Sequence, residues 1–145
     1  MLRSTEFAIN SPERPMLALV WFTLVMSGTV ACSDSPTSPR GEALFLVRVC
    51  GQTFHVLIGD PRTIAEAESQ IETPTKHVTG RLAMGDGGFN QPWHWHLDPG
   101  TVTFADASVE VCDGCPADVE DDLNYWVNSV GQFCPWSSKV VRREL

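Results

Sequence analysis

The order of hydrophobic and polar residues along the chain predicts strands at the start of its folded region. Residues 43–50 carry apolar side chains on both faces of an extended chain, which is typical of a central strand. Residues 53–58 form a second strand-like run, and Gly51 and Gln52 between the two runs indicate a hairpin. Residues 77–84 are predicted to form the next strand.

Two segments have the period of amphipathic helices. Asp60 can cap the first helix, and Pro61 suits its first turn. One stripe of this helix has the spacing of a buried face and comprises Ile64, Ala67 and Ile71. The second helix is predicted to run from Pro116 to Val127. Its apolar face comprises Val119, Leu123, Trp126, Val127 and Val130.

Residues 93–97 combine aromatic residues and histidines in strict alternation. In a strand, successive side chains point to opposite faces. One face then holds Trp93, Trp95 and Leu97, which predicts a core position. The other face holds His94, His96 and Asp98. A turn follows, because proline and glycine come directly after Asp98.

Further strands are predicted at residues 102–104 and 107–112, and the short segment 133–141 ends the fold. We therefore expect an α+β fold in which two helices pack against a mostly antiparallel sheet, in the order β-β-α-β-β-β-α-β. Residues 42–145 are enough for a single domain and no more.

Residues 1–31 have the features of an export signal. An apolar run from Met16 to Gly28 follows Arg3 and Arg14, and it is too short for a comfortable membrane span. Small residues then lead directly into Cys32, so the segment resembles a bacterial lipoprotein signal in which this cysteine carries the lipid. Ordinary cleavage after Ala31 is the alternative, because Thr29 stands where such signals usually have leucine.

Residues 32–41 are polar and interrupted by prolines, which predicts a flexible tether between the lipid and the domain. The chain has a net charge of −8, and residues 1–31 contribute two arginines and two glutamates, so their removal leaves this charge unchanged. An acidic domain has no electrostatic reason to bind nucleic acid or anionic lipid head groups. We therefore expect contact with the membrane through the lipid anchor alone.

Four cysteines remain after Cys32, and in an exported protein they predict two disulfides. They are Cys50, Cys112, Cys115 and Cys134, which allow three connectivities. The C-x-x-C motif between a predicted strand and helix leaves thiol–disulfide exchange at Cys112 and Cys115 as an alternative function. The acidic residues around that motif oppose thiolate formation, and a four-cysteine zinc site is disfavoured by export.

His94 and His96 could bind zinc or copper, because both project from one face of a strand. A third ligand would have to come from Asp98, His55, His77 or another carboxylate. Histidines on a solvent-facing strand produce the same spacing, so we expect no cofactor. A metal-binding protein or a metal-dependent enzyme that uses His94 and His96 stays as an alternative. A serine-hydrolase motif, a phosphate-binding loop and an EF-hand are all missing from the sequence. We expect Trp136 to cover a disulfide, with a role as a surface anchor as the alternative.

Four segments together resemble a family of small, poorly characterised bacterial proteins, some of which are loosely labelled calmodulin-like. The segments are FNQPWHWHLDP at 89–99, VEVCDG at 109–114, DVE at 118–120 and FCPWSSKVV at 133–141. The resemblance covers about residues 54–144 and implies no known activity or ligand. It implies a Cys112–Cys134 disulfide, and with it a second bridge between Cys50 and Cys115. It also implies a small polar residue in place of His94, which argues against the metal site.

The sequence thus predicts a lipid-anchored extracytoplasmic binding module that resides on the outer membrane if the host is Gram-negative. A non-enzymatic role is favoured over catalysis. The ligand is an unknown protein or polysaccharide. The residues expected to contact that ligand lie near one edge of the sheet and are His96, Asp98, Glu110 and Asp113.

Overall fold

The computed structural model describes residues 41–145. The predicted signal peptide, Cys32 and residues 33–40 of the predicted tether lie outside the described residues. No helix within residues 41–145 is long and apolar enough to cross a membrane.

The described residues form an α+β fold with antiparallel strands, as predicted. The strands are β1 Ala43–Val49, β2 Gln52–Ile58, β3 His77–Met84, β4 Trp95–Leu97, β5 Thr103–Ala105, β6 Gln132–Phe133 and β7 Lys139–Arg143. The helices are α1 Pro61–Glu72, α2 Pro116–Asp121 and α3 Leu123–Tyr125. A 3₁₀ turn spans Glu110–Cys112, and a π-helical turn spans Trp126–Val130.

The first sheet has three antiparallel strands in the order β2-β1-β7. Strand β1 lies in the middle, which confirms the prediction from its two apolar faces. Val49 pairs with Gln52, so the β1–β2 turn consists of Cys50 and Gly51. Their φ angles are 52° and 76°, the left-handed values of a type I′ turn, whose twist matches that of the flanking strands.

The second sheet has four strands arranged along β3. Residues 77–79 of β3 pair with β5, residues 80–81 with β6, and residues 82–84 with β4. The long strand β3 therefore pairs with three short strands, of which β6 comes much later in the sequence than β4 and β5.

Four aromatic rings join the two sheets in the core. The ring of Phe54 on β2 lies 5.4 Å from Trp95 on β4 and 5.7 Å from Phe133 on β6, between ring centroids. Phe133 also contacts Trp126 at 6.0 Å. Trp95 and Phe133 have no exposed surface, so these contacts occur in a water-free interior where aromatic pairs add to the free energy of burial.

Helix α1 begins as predicted. The Asp60 carboxylate accepts a hydrogen bond from the N–H of Thr63 at 2.8 Å, and this bond lowers the pKa of Asp60 below its usual value. Ala67 is fully buried, and Ile64 and Ile71 pack against the core. The predicted apolar stripe is therefore the face that α1 buries.

The predicted second helix is interrupted. Asp122 leaves the helical conformation at φ −139°, and its carboxylate accepts a hydrogen bond from the N–H of Tyr125. An aspartate that bonds to nearby backbone in this way competes with helix continuation. The chain consequently restarts as α3, widens into the π-helical turn and ends at Gly131 with φ 73°.

The prediction of a strand at residues 107–112 is wrong. Residues 106–109 are irregular, and the 3₁₀ turn follows them. Val109 and Val111 are 63% and 62% exposed. The alternating pattern of residues 107–112 therefore belongs to an exposed turn and not to a strand with one buried face. The N–H of Cys112 donates to the carbonyl of Val109, which closes that turn.

Two further boundaries differ from the prediction. The strand predicted at residues 93–97 begins only at Trp95, because the N–H of Trp93 closes a turn onto the carbonyl of Asn90 at 3.0 Å. The final segment forms two strands instead of one. A turn at Pro135, whose carbonyl accepts from the N–H of Ser138, separates β6 from β7.

The structure contains two disulfides, Cys50–Cys115 and Cys112–Cys134. This is the pairing that the family resemblance implies. The first bridge joins the β1–β2 turn to the residue that caps α2, and the second joins the 3₁₀ turn to the residue after β6. Two disulfides in a domain of this size are typical of an oxidising, extracytoplasmic environment.

Candidate binding groove around Trp136

A groove opens where the start of β3 meets the residues between β6 and β7. It consists of two adjoining depressions of about 260 Å³ and about 230 Å³. Both are lined by His77, Asp106 and Trp136, so they form one surface, which we call the Trp136 groove. The remaining lining residues are Pro74, Thr75, Lys76, Ala107, Ser108, Ser137, Ser138 and Lys139.

Trp136 is exposed although its backbone is held in place. The residue is 47% exposed, and its N–H donates a 2.9 Å hydrogen bond to the Asp113 carboxylate. Two residues earlier, Cys134 is bound to Cys112 by the disulfide and by a 2.8 Å backbone hydrogen bond. The indole therefore projects from a braced turn, which supports the alternative of a surface role over the expected cover of the disulfide.

The polar side chains of the groove come from separate elements. The Oγ of Ser108, on the irregular segment after β5, lies 2.7 Å from Nε2 of His77 on β3. His77 is 6% exposed and Ser108 is half-buried. Ser138 has a structural role, because its hydroxyl oxygen accepts a hydrogen bond from the N–H of Val78.

The groove also carries positive charge in an acidic protein. Lys76 donates a 2.7 Å hydrogen bond to Glu66, and this contact raises the pKa of Lys76 above its usual value. Lys139 is exposed and lines the second depression. Asp106 is the carboxylate that lines both depressions. The groove can therefore offer hydrogen-bond donors and acceptors beside an aromatic face.

The predicted contact residues fall into two groups. Asp113 accepts the hydrogen bond from Trp136, and the carbonyl of Glu110 accepts one from the N–H of Asp113. His96 and Asp98 belong to β4 and the turn after it. Within residues 41–145, no hydrogen bond or ion pair joins the second pair to the first. A shared contact surface for all four residues stays a prediction.

Asp98 and His96 both have intramolecular partners. The Asp98 carboxylate lies 3.0 Å from the Arg81 guanidinium and accepts from the N–H of Gly100, so it shapes the turn after β4. The His96 ring bonds to the carbonyl of Gly85 through Nδ1 at 2.7 Å and meets the ring of Phe89 edge-on.

The predicted metal site at His94 and His96 lacks a third ligand among the residues that the structure describes. Within residues 41–145, no group of three or more histidine, cysteine, aspartate or glutamate side chains is placed to hold a metal ion. His94 is engaged by Glu120, whose carboxylate lies 2.5 Å from Nδ1 and also accepts the His94 N–H. The suggested third ligands have other partners, since His55 pairs with Glu144 and His77 with Ser108.

The C-x-x-C motif is not a redox pair in this structure. Cys112 and Cys115 form separate disulfides, so the bridge that exchange between these two residues requires is not formed. The physical reason is that the β1–β2 turn brings Cys50 to Cys115 and leaves Cys112 facing Cys134.

A larger depression of about 440 Å³ lies at the turn before β4. It is lined by Gly85, Asp86, Gln91, Pro92, Trp93 and His94. Its polar groups are already used within the protein. The N–H of Gly88 donates to Asp86 and lowers the pKa of that carboxyl, and the indole N–H of Trp93 donates to the carbonyl of Thr53. The Trp136 groove is distinguished from this depression by an indole that is 47% exposed, and it is therefore the candidate binding surface.

The pairing of His77 with Ser108 was not predicted from the sequence. The two residues are 31 positions apart, and no motif links them. A signal was available in Trp136, the one tryptophan within residues 41–145 that fitted neither a predicted strand face nor a predicted helix face.

The chain matches no curated protein and no solved structure. A family model described as the BP-74 N-terminal domain matches residues 41–145, which are the residues that carry the fold and the groove. The chain therefore belongs to the BP-74 N-terminal domain family.

Proposed function

We propose that the protein is an extracytoplasmic binding module, held at a membrane by a lipid on Cys32, and that the Trp136 groove binds a polysaccharide. The export signal and the cysteine at its end support the anchoring. The two disulfides support an oxidising environment outside the cytoplasm.

The observation that carries the binding function is the exposure of Trp136 on a braced turn. An exposed indole offers a large apolar face together with one hydrogen-bond donor. Because the Asp113 hydrogen bond and the Cys112–Cys134 disulfide fix the turn, little backbone freedom is lost when a ligand binds. An aromatic side chain on a rigid support therefore suits recognition.

The surroundings of Trp136 favour a polysaccharide over a protein partner. Protein interfaces of standard size bury about 800 Å² on each side around an apolar centre. Trp136 instead lines a groove of two small depressions whose other side chains include hydroxyl, carboxylate and ammonium groups. Those groups match the many hydroxyls of a sugar, while the indole covers its apolar face.

Co-sedimentation with insoluble polysaccharides tests this function. Peptidoglycan sacculi, cellulose and chitin would each be mixed with the soluble domain, and the bound fraction measured. We expect Trp136→Ala to reduce binding at least tenfold, which is the loss of one well-packed aromatic contact of about 1.4 kcal/mol. Tyr125→Ala is the matched control, because Tyr125 is 49% exposed and lies outside the groove.

Equal losses in both variants would contradict a specific role for the groove. If none of the polysaccharides binds and the groove instead captures a protein, with a capture that is lost in Trp136→Ala, then the ligand is a protein.

The anchoring has its own test, which is intact mass spectrometry of the membrane-bound protein. We expect a mature chain that begins at Cys32 and carries the mass of a lipid. Cys32→Ser should release the protein from the membrane fraction. A chain that is cleaved after Ala31 and carries no lipid would show that the protein is secreted and not anchored by a lipid.

A further inference from the structure

We propose that Ser108 is an activated nucleophile, with His77 as its general base, and that this pair hydrolyses small carboxylic esters in the Trp136 groove. The inference goes beyond the proposed binding function and does not depend on it. It rests on the 2.7 Å contact between Ser108 Oγ and His77 Nε2.

His77 differs from the other histidines in its partner. His55 and His94 pair with the carboxylates of Glu144 and Glu120, and His96 bonds to the carbonyl of Gly85. Within residues 41–145, only His77 bonds to a hydroxyl group. A neutral imidazole in that contact can accept the hydroxyl proton, which is the requirement for activating a serine.

The position of the pair suits a reaction in the groove. His77 is 6% exposed, whereas Ser108 is half-buried, and both line the depression of about 260 Å³. The base is therefore shielded from water while the hydroxyl faces the space that a substrate would enter. Low exposure also strengthens the electrostatic interaction between an imidazolium and a developing negative charge.

The segment that carries Ser108 is fixed on both sides. Ala105 pairs with His77 in the β3–β5 ladder. On the other side, the carbonyl of Val109 accepts a hydrogen bond from the N–H of Cys112, which is itself bound to Cys134. The hydroxyl and the imidazole are therefore held together before a substrate arrives.

The reaction would proceed in two balanced steps with water as the co-reactant. Ser108 Oγ attacks the ester carbonyl carbon, and its proton passes to His77 Nε2. His77 returns this proton to the departing alcohol oxygen as the carbon–oxygen bond breaks, which leaves an acyl group on Ser108. A water molecule then gives a proton to His77 and attacks the acyl carbon. His77 passes that proton back to Ser108 Oγ as the carboxylic acid leaves, and the hydroxyl is restored.

The segment that carries Ser108 has candidate donors for the negative oxygen of the intermediate. The backbone N–H groups of Ser108 and Val109 have no hydrogen-bond partner among residues 41–145. Both belong to the nucleophile's own loop, where such groups can stabilise an oxyanion. The volume of the depression limits the substrate to an ester with a small acyl group.

A fluorophosphonate probe tests the nucleophile directly. Ser108 Oγ would displace fluoride from phosphorus and lose its proton, and the adduct would be located by peptide mass spectrometry. We expect an adduct on Ser108 and none on Ser137, a second serine of the same groove. Ser108→Ala should abolish both this adduct and the hydrolysis of 4-nitrophenyl acetate, while Ser129→Ala, at an exposed serine outside the groove, should leave both unchanged.

The base is tested by His77→Gln, which should slow labelling of Ser108 about 100-fold, the usual contribution of a general base. If His77 had only a structural role, its replacement would change stability without slowing the labelling of Ser108, so thermal unfolding is measured in parallel. If His77→Gln does not fold, the comparison of Ser108 with Ser137 in the unaltered protein decides. Failure of the probe to label Ser108, or equal labelling of both serines, would overturn the proposal.

Discussion

The carboxamide of Asn90 donates a 2.7 Å hydrogen bond to the carbonyl oxygen of Trp95. Its oxygen accepts another 2.7 Å bond from the N–H of His55, and the residue has no exposed surface. One buried side chain thus joins β2 of the first sheet to β4 of the second.

Asn90→Ala should lower the free energy of unfolding by about 3 kcal/mol, because two backbone groups lose their partner in the interior. Urea denaturation would measure the loss. Asn124→Ala is the control, since Asn124 is exposed and its side chain bonds to Asn128, and it should change stability by less than about 0.5 kcal/mol. Similar values for the two variants would show that the bridge does not stabilise the fold.

The two disulfides should stabilise the fold by similar amounts for different reasons. Cys50 and Cys115 are 65 residues apart, so removing that bridge should cost about 4 kcal/mol through loop entropy. Cys112 and Cys134 are only 22 residues apart, which gives about 3 kcal/mol. Both of these cysteines are buried, however, so their replacement also removes packing.

Double cysteine-to-alanine variants compared by urea denaturation check this expectation. A loss below about 1 kcal/mol on removing Cys50–Cys115 would contradict the entropic argument.

The stabilising contribution of Glu144 should be lost in acid. Burial opposes ionisation of this carboxyl, but hydrogen bonds from Arg142 and His55 outweigh it, so the pKa of Glu144 lies below its ordinary value of 4.5. A carboxyl whose pKa is lower in the folded state binds its proton more readily when unfolded. Its contribution is therefore complete above pH 4.5 and is lost as the pH falls through the lower, folded value.

Glu144→Gln should flatten this acid dependence by about 0.5–1 kcal/mol, as measured by denaturation at a series of pH values. Glu72→Gln, at an exposed position, should leave the pH dependence unchanged. A steeper loss of stability in acid for Glu144→Gln would contradict the sign of the effect.

Gly87 should tolerate a side chain less well than its neighbour Gly88. Both residues have positive φ angles, 63° and 82°, so alanine is strained at either position. A Cβ at Gly87 would also lie 2.7 Å from the Phe89 ring and 3.0 Å from the His96 ring, whereas a Cβ at Gly88 would meet nothing within 4 Å. We expect Gly87→Ala to cost about 1 kcal/mol more than Gly88→Ala in thermal unfolding experiments. Equal costs would mean that the loop moves freely away from His96.

The sequence predicted the elements whose signals are local. The two apolar faces of residues 43–50, the cap at Asp60 and the stripe of α1 each depend on neighbours within a few positions. All three are present in the structure. The alternation at residues 93–97 correctly placed Trp95 and Leu97 in the core.

The features that were missed depend on contacts between distant residues. The segment at 107–112 has the pattern of a strand, but its disulfide to Cys134 and its own turn hydrogen bond decide its conformation. The groove joins His77, Ser108 and Trp136, which only the folded chain brings together. The order of hydrophobic and polar residues does not predict which distant residues line a common groove.

Strand β1 meets β7 only after the elements between them have been made. The N–H of Leu44 donates to the carbonyl of Leu145, and the N–H of Glu144 donates to the carbonyl of Leu44. The first sheet is therefore incomplete until β7 is available, and a chain that stopped before β7 would leave the central strand β1 with an edge open to pairing with another molecule.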